Sequence, residues 1–152
     1  MPLILLRLLF RGMAAPNYRK RWLQRFGFFT PPELNKDTIW LHAVSVGETL
    51  AAVPLVKALQ EKYPERRLLI TCMTPTGSER ITAAFGDSVD HSYAPYDTPD
   101  AVARFLKRVQ PKMLIIMETE LWPNTVAACY KRQIPVILAN GRLSEKSARG
   151  YA

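Results

Sequence analysis

The chain has 152 residues, 48% of them hydrophobic and 22% charged, and a formal net charge of +8. That length suits one domain with an ordinary core, and the composition excludes a disordered or membrane-spanning protein. The positive balance points to anionic partners: nucleic acid, an acidic membrane surface or a phosphorylated substrate.

From Met1 to Phe29 there are six basic residues and no acid, interleaved with Leu3 to Phe10, Trp22, Phe26, Phe28 and Phe29. The apolar run Leu3 to Phe10 contains Arg7 and is far shorter than the ~20 residues that span a bilayer. Basic residues among apolar and aromatic ones suit a short amphipathic helix lying on an anionic membrane. The competing reading is a core-docking segment with a basic outer face. Because the cations sit among long aliphatics and not along a polar groove, no nucleic-acid partner is expected.

Residues 30–37 are a Pro-rich connector, and the globular domain is expected over 38–152. Thr38 to Val46 reads as a buried strand, followed by a tight turn and a helix opening near Glu48. Leu50, Val53, Val56 and Leu59 give that helix its apolar spacing, and Pro54 is expected to kink or loosen its first turns. Arg67 to Thr74 is the second strand, and Thr74 to Ser78 the turn into a helix ending at Phe85. Val89 to Tyr93, Lys112 to Glu118 and Pro135 to Asn140 are further strands. Helices fall at Asp100 to Val109 and after Pro123. Five apolar strands alternating with helices predict an α/β fold, an open parallel Rossmann-like sheet.

Open parallel sheets bind ligands beyond the carboxyl ends of their strands. There the sequence places Ser45, Gly47 and Glu48 after the first strand, and Thr76, Gly77, Ser78 and Arg80 after the second. Glu118 follows the fourth, and Asn140 and Arg142 the fifth. Two carboxylates on one edge, Glu48 and Glu118, allow one to deprotonate a hydroxyl while the other orients it. Against this, Glu48 is also an ordinary first-turn acid, and Thr74 to Ser78 is an ordinary cap as well as a conceivable anion cradle. Cys72, Cys129, His42 and His91 have neither disulfide-framework nor metal-ligand spacing. Glu118-Thr119-Glu120 lacks further oxygen ligands nearby, so no metal is expected.

The segments HAVSVGE (His42 to Glu48), TPTGSER (Thr74 to Arg80), PYD (Pro95 to Asp97), ETELWPN (Glu118 to Asn124) and NGRLSEKS (Asn140 to Ser147) are collinear and span most of the chain. Together they closely resemble the N-terminal half of the 3-deoxy-D-manno-octulosonic acid (Kdo) transferases of lipopolysaccharide biosynthesis. The resemblance implies the first of two Rossmann-like domains of a GT-B glycosyltransferase, with no metal and no cofactor. Its donor would be CMP-Kdo and its acceptor the lipid A precursor, lipid IVA, at the cytoplasmic face of the bacterial inner membrane. It also implies Glu48 as general base and Glu118 as its essential partner. The Thr76-Gly77-Ser78 turn, Arg80 or Arg142 would meet acceptor phosphates. The sequence stops at Ala152, so CMP-Kdo binding and transfer are expected to need a C-terminal domain absent from it. A non-catalytic peripheral membrane module that binds anionic lipid is the alternative.

Overall fold

In a computed structural model, which describes residues 21–31, 37–118 and 121–141, five strands and four α-helices alternate along the chain. They are β1 (Thr38–His42), α1 (Val46–Lys62), β2 (Arg67–Cys72), α2 (Pro75–Phe85), β3 (Asp90–Tyr93), α3 (Pro99–Val109), β4 (Pro111–Met117), α4 (Pro123–Lys131) and β5 (Val136–Ala139). All pairings are parallel, in the order β3-β2-β1-β4-β5, which is the Rossmann-like sheet expected. β1 is central and buried at every residue.

Period-two alternation divides each strand between two cores. Ile39, Leu41, Leu68, Ile70, Cys72, Ile115 and Met117 face α1 and α2, where Val56, Ile81 and Phe85 cover them. Trp40, Leu69, Leu114 and Ile116 face the other way, against Val102, Phe105 and Leu106 of α3 and Cys129 of α4. Burial on both faces explains why these strands read as unbroken apolar runs.

Several boundaries differ from the sequence reading. β1 ends at His42 rather than Val46, because the chain must turn into the Ser45 cap that starts α1 two residues before Glu48. α1 runs unbroken through Pro54, whose position is exposed. Leu50, expected on the core face, is 54% exposed; Val56 is buried as expected, and Thr49 and Ala52 are buried with it.

The expected N-terminal amphipathic helix falls mainly within residues 1–20, outside the described residues. From Arg21 onward the chain is fastened to the domain. A 3-10 helix, Trp22–Phe26, ends at Gly27 with φ +82°, and any Cβ there would overlap the Ala101 carbonyl oxygen of α3. Arg25 is 1% exposed, its guanidinium 4.1 Å from the Tyr93 ring centroid and donating to Met73 O at 3.1 Å. Gln24 Oε1 accepts from the Tyr93 N–H at 3.1 Å, which blunts the β3 edge of the sheet. At the opposite edge, Ile137 and Leu138 of β5 are each 45% exposed.

Candidate functional site

The carboxyl end of β1 is built by a local motif. Ser45 caps α1, its hydroxyl accepting from the Glu48 N–H at 3.3 Å. The Glu48 carboxylate reaches back: Oε2 accepts from the Val44 N–H at 2.8 Å and Oε1 from the Ser45 N–H at 3.2 Å. This is a capping box, which satisfies N–H groups that a helix start would otherwise leave orphaned. Glu48 is only 4% exposed, yet each carboxylate oxygen has a second lone pair beyond its backbone bond. Gly47 is exposed, and a Cβ there would meet nothing closer than Ser45 Oγ at 3.8 Å.

The neighbouring strand end is built differently. His42 pairs with Ile116, so Glu118 comes two residues beyond that register, beside the β1–α1 loop. Glu118 is half-buried, with φ +58°, a left-handed conformation uncommon for a non-glycine residue. Its N–H is held by Ala139 O of β5 at 2.8 Å, and one residue further along β5 Asn140 repeats the left-handed turn with φ +55°. Asn140 is exposed, whereas Arg142 lies outside the described residues.

After β2, the Thr74 to Ser78 turn proves to be a cap. Thr74 Oγ1 accepts from the Gly77 N–H at 3.0 Å. A Cβ on Gly77 would come within 3.0 Å of Thr74 Oγ1 and 3.3 Å of Cys72 Cβ, so this glycine lets α2 approach β2 closely. Ser78 is buried and accepts from Arg21 Nη2 at 2.5 Å. Thr76 and Arg80 are exposed and, with Val46, Glu79 and Ala83, line a shallow groove of about 460 Å3 beside the start of α1. The turn therefore presents Thr76 and Arg80 outward, while Gly77 and Ser78 serve packing.

His42 is a packed, hydrogen-bonded strand residue, as expected, and the contacts around it join residues distant in sequence. Asp97, named in the sequence reading only as the end of the PYD segment, accepts from the N–H groups of Asn124 at 3.0 Å and Thr125 at 2.7 Å, capping α4 from another loop. His42 shares the Thr71 hydroxyl with Trp40 and meets the Trp122 ring; burial lowers its pKa to about 4, with Asp97 pulling the other way. His91, bonded to Arg21 at 3.2 Å, is likewise lowered to about 4 by burial and then by the Arg21 charge. The loops of the PYD and ETELWPN segments meet through the Asp97 bonds, which residue types alone do not reveal.

Cys72 and Cys129 are buried free thiols, each pushed up to about 11 by burial. Among the described residues no three His, Cys, Asp or Glu side chains cluster as metal ligands, and no helix is long and apolar enough to cross a membrane.

Residues 20–152 match a family model described as 3-deoxy-D-manno-octulosonic-acid transferase (kdotransferase). The chain is 48% identical to the 3-deoxy-D-manno-octulosonic acid transferase of Haemophilus influenzae, over 99% of its own length and 35% of that protein's. It is 38% identical to a probable mitochondrial 3-deoxy-D-manno-octulosonic acid transferase of Arabidopsis thaliana, covering 99% of this chain and 34% of the relative. It thus spans about a third of the length of these relatives. A crystal structure of UDP-N-acetylglucosamine 2-epimerase superposes with a TM-score of 0.52 at 16% identity, over 78% of this chain and 35% of that one, a likeness of fold.

Proposed function

The chain belongs to the 3-deoxy-D-manno-octulosonic acid (Kdo) transferase family, and from that premise we propose that it is the acceptor-binding, base-carrying part of the enzyme. In this reading the complete protein moves Kdo from CMP-Kdo to a hydroxyl of the lipid A precursor. The acceptor oxygen attacks the anomeric carbon of Kdo, the bond from that carbon to the CMP phosphate breaks, and the hydroxyl proton passes to Glu48. Glu118 orients the hydroxyl or Glu48's neighbours from the adjacent strand end. No metal and no cofactor beyond the donor is invoked.

The observation that carries the reading is the Glu48 carboxylate itself. Two backbone N–H groups fix it beside the carboxyl end of the central strand, with lone pairs to spare. A base held in one orientation loses little freedom when the substrate arrives. Thr76 and Arg80, exposed on the groove beside α1, would meet acceptor phosphates; Gly77, Ser78, Asn140 and Arg142 remain weaker members of that proposal. Leu50 and Leu121, 54% and 58% exposed, offer apolar surface near the two carboxylates for an acylated acceptor. Docking at the cytoplasmic face of the inner membrane would use the basic N-terminal segment.

A second reading, a peripheral module that binds anionic lipid without catalysis, draws on Leu23 and Phe28. They are 64% and 44% exposed, and Arg104 and Arg108 stack on the Phe28 ring.

One assay separates the two. Transfer from CMP-Kdo to lipid A precursor is measured with this chain alone and with the C-terminal part of the Haemophilus relative supplied separately. Turnover on mixing supports the enzyme; lipid binding without turnover in either sample favours the module. Arg80→Ala should weaken phosphorylated acceptor about fivefold, the worth of one surface cation near 1 kcal/mol, and leave dephosphorylated acceptor unchanged. Equal losses would remove Arg80 from the phosphate site.

A further inference from the structure

The last residue of β1 has an arrangement that proton transfer to Glu48 does not use. His42 is 2% exposed, and its Nδ1 lies 2.9 Å from Thr71 Oγ1. The same oxygen accepts from the Trp40 indole N–H at 2.8 Å. An indole N–H only donates, so it occupies one lone pair of the hydroxyl and leaves the hydroxyl proton to be placed. Given to Nδ1, that proton makes Thr71 a satisfied relay and leaves the imidazole proton on Nε2. The opposite tautomer would leave the hydroxyl proton with no acceptor among the described residues.

Nε2 is buried and has no hydrogen-bond partner among the described residues. What the ring does meet is Trp122, edge to face, with centroids 4.6 Å apart and planes at 74°. Trp122 is the N-cap residue of α4, four residues after Glu118. Asp97 in turn takes the N–H groups of Asn124 and Thr125. The start of α4 is therefore gripped twice, by Asp97 and by His42.

We propose that His42 is a positioning residue for transfer: fixed as the Nε2–H tautomer by Thr71, it seats that edge on Trp122 and so helps to set Trp122 and Glu118 beside the Glu48 loop. The role rests on the transferase reading of Glu48 and Glu118. It needs a neutral ring, which burial provides; among the described residues the charged group acting on His42 is Asp97.

Long-range 1H–15N NMR of this chain tests the geometry directly. His42 should show the Nε2–H tautomer without titration from pH about 8 to about 5. Its ring protons should carry an upfield ring-current shift that Trp122→Leu removes and Trp122→Phe largely keeps. An Nδ1–H tautomer, titration near the ordinary 6.5, or a shift indifferent to Trp122→Leu overturns the proposal.

Transfer by the mixed halves tests the role. The amide of a glutamine reaches the place of Nε2 and that of an asparagine the place of Nδ1. Thus His42→Gln should hold kcat within about threefold while His42→Asn loses about 30-fold, with KM little changed in both, as a small misplacement of a reacting group would produce. Equal kcat for the two variants, or a loss confined to KM, overturns the role of His42 alone. No turnover by the unsubstituted chain overturns the transferase reading, and this role with it. Should His42→Asn fail to fold, Trp122→Leu carries the same expected loss of kcat, and unchanged kcat there is equally fatal.

Discussion

The two loops that carry the candidate carboxylates sit side by side at the carboxyl ends of β1 and β4, yet they are held by opposite means. The Val44 to Glu48 turn is closed on itself: Ser45 and Glu48 bond each other's backbone, and Thr49 returns to Ser45 O. Among the described residues, the turn at Glu118 has no such local lock. Its left-handed residue is pinned by Ala139 of the next strand, and the helix start beyond it is held by Asp97 and His42 from two other elements. The first loop is rigid by its own sequence, and the second is only as well placed as its neighbours. A fixed base beside a partner whose position depends on its surroundings is a sensible division for a site that must admit a large acceptor.

The largest effect should come from separating the two jobs of Glu48. Glu48→Ala removes base and cap together, so transfer should fall by roughly 10²–10⁴-fold and the fold lose about 1–2 kcal/mol. Glu48→Gln keeps one oxygen to accept from a backbone N–H of the capping box, sets its amide NH2 against the other, and cannot take a proton. Urea denaturation should find a loss of about 1 kcal/mol, from the one backbone N–H left without an acceptor, while transfer is as low as in the alanine variant. Substantial turnover by Glu48→Gln would reduce Glu48 to a cap.

Glu118 offers the reverse separation. Its φ of +58° carries a strain of about 1 kcal/mol that glycine does not feel. Glu118→Gly should therefore match or exceed the parent in stability and still lose about 100-fold in transfer, whereas Glu118→Gln keeps the strain and loses transfer alike. A glycine variant both more stable and fully active would leave Glu118 no role in the chemistry.

The same contrast explains what was legible in the sequence. β1, β2 and β4 announce themselves as apolar runs because both of their faces are covered, and the Ser45-to-Glu48 spacing is a local signature of a helix start. The Rossmann-like order follows from regular strand and helix alternation. What escaped depends on contacts distant in sequence. Arg25 reads as one more interfacial cation, but Tyr93 and Met73 O, on β3 and at the end of β2, accept it into the interior. Ser78 reads as part of an anion cradle until Arg21, 57 residues away, takes its hydroxyl. Leu50 fits the apolar spacing of α1, yet the capping box rotates the helix so that Glu48, Thr49 and Ala52 face inward.

Acid should act on the second loop through His42. An unfolded histidine takes its proton near 6.5, whereas folded His42 does so only near 4. Between these values the unfolded chain binds more protons, so stability is complete above about 6.5 and declines as the pH falls toward 4. The loss attributable to His42 is at most roughly 3 kcal/mol. His91 shifts in the same direction. Urea titrations across this range should show the decline, and His42→Gln should flatten it to the part that belongs to His91. An unchanged slope in His42→Gln would mean that His42 is not held neutral.

The smallest effect on the fold is the most discriminating for the rigid loop. Gly47 lies in the first turn of α1 without a positive φ, and an added methyl would approach only Ser45 Oγ, at an ordinary 3.8 Å. Nothing within the domain demands glycine there, and alanine in a helix is better by about 0.5–1 kcal/mol. Gly47→Ala should therefore stabilise the domain, visible as a small rise in urea midpoint, with the capping box intact. If the open space over Gly47 is where the acceptor approaches Glu48, the same methyl should raise KM or lower kcat several-fold despite the more stable fold. Stability and transfer moving in opposite directions would place the substrate beside Gly47. Transfer unchanged by the methyl would place the acceptor's approach elsewhere, on the side of Glu118 and β5.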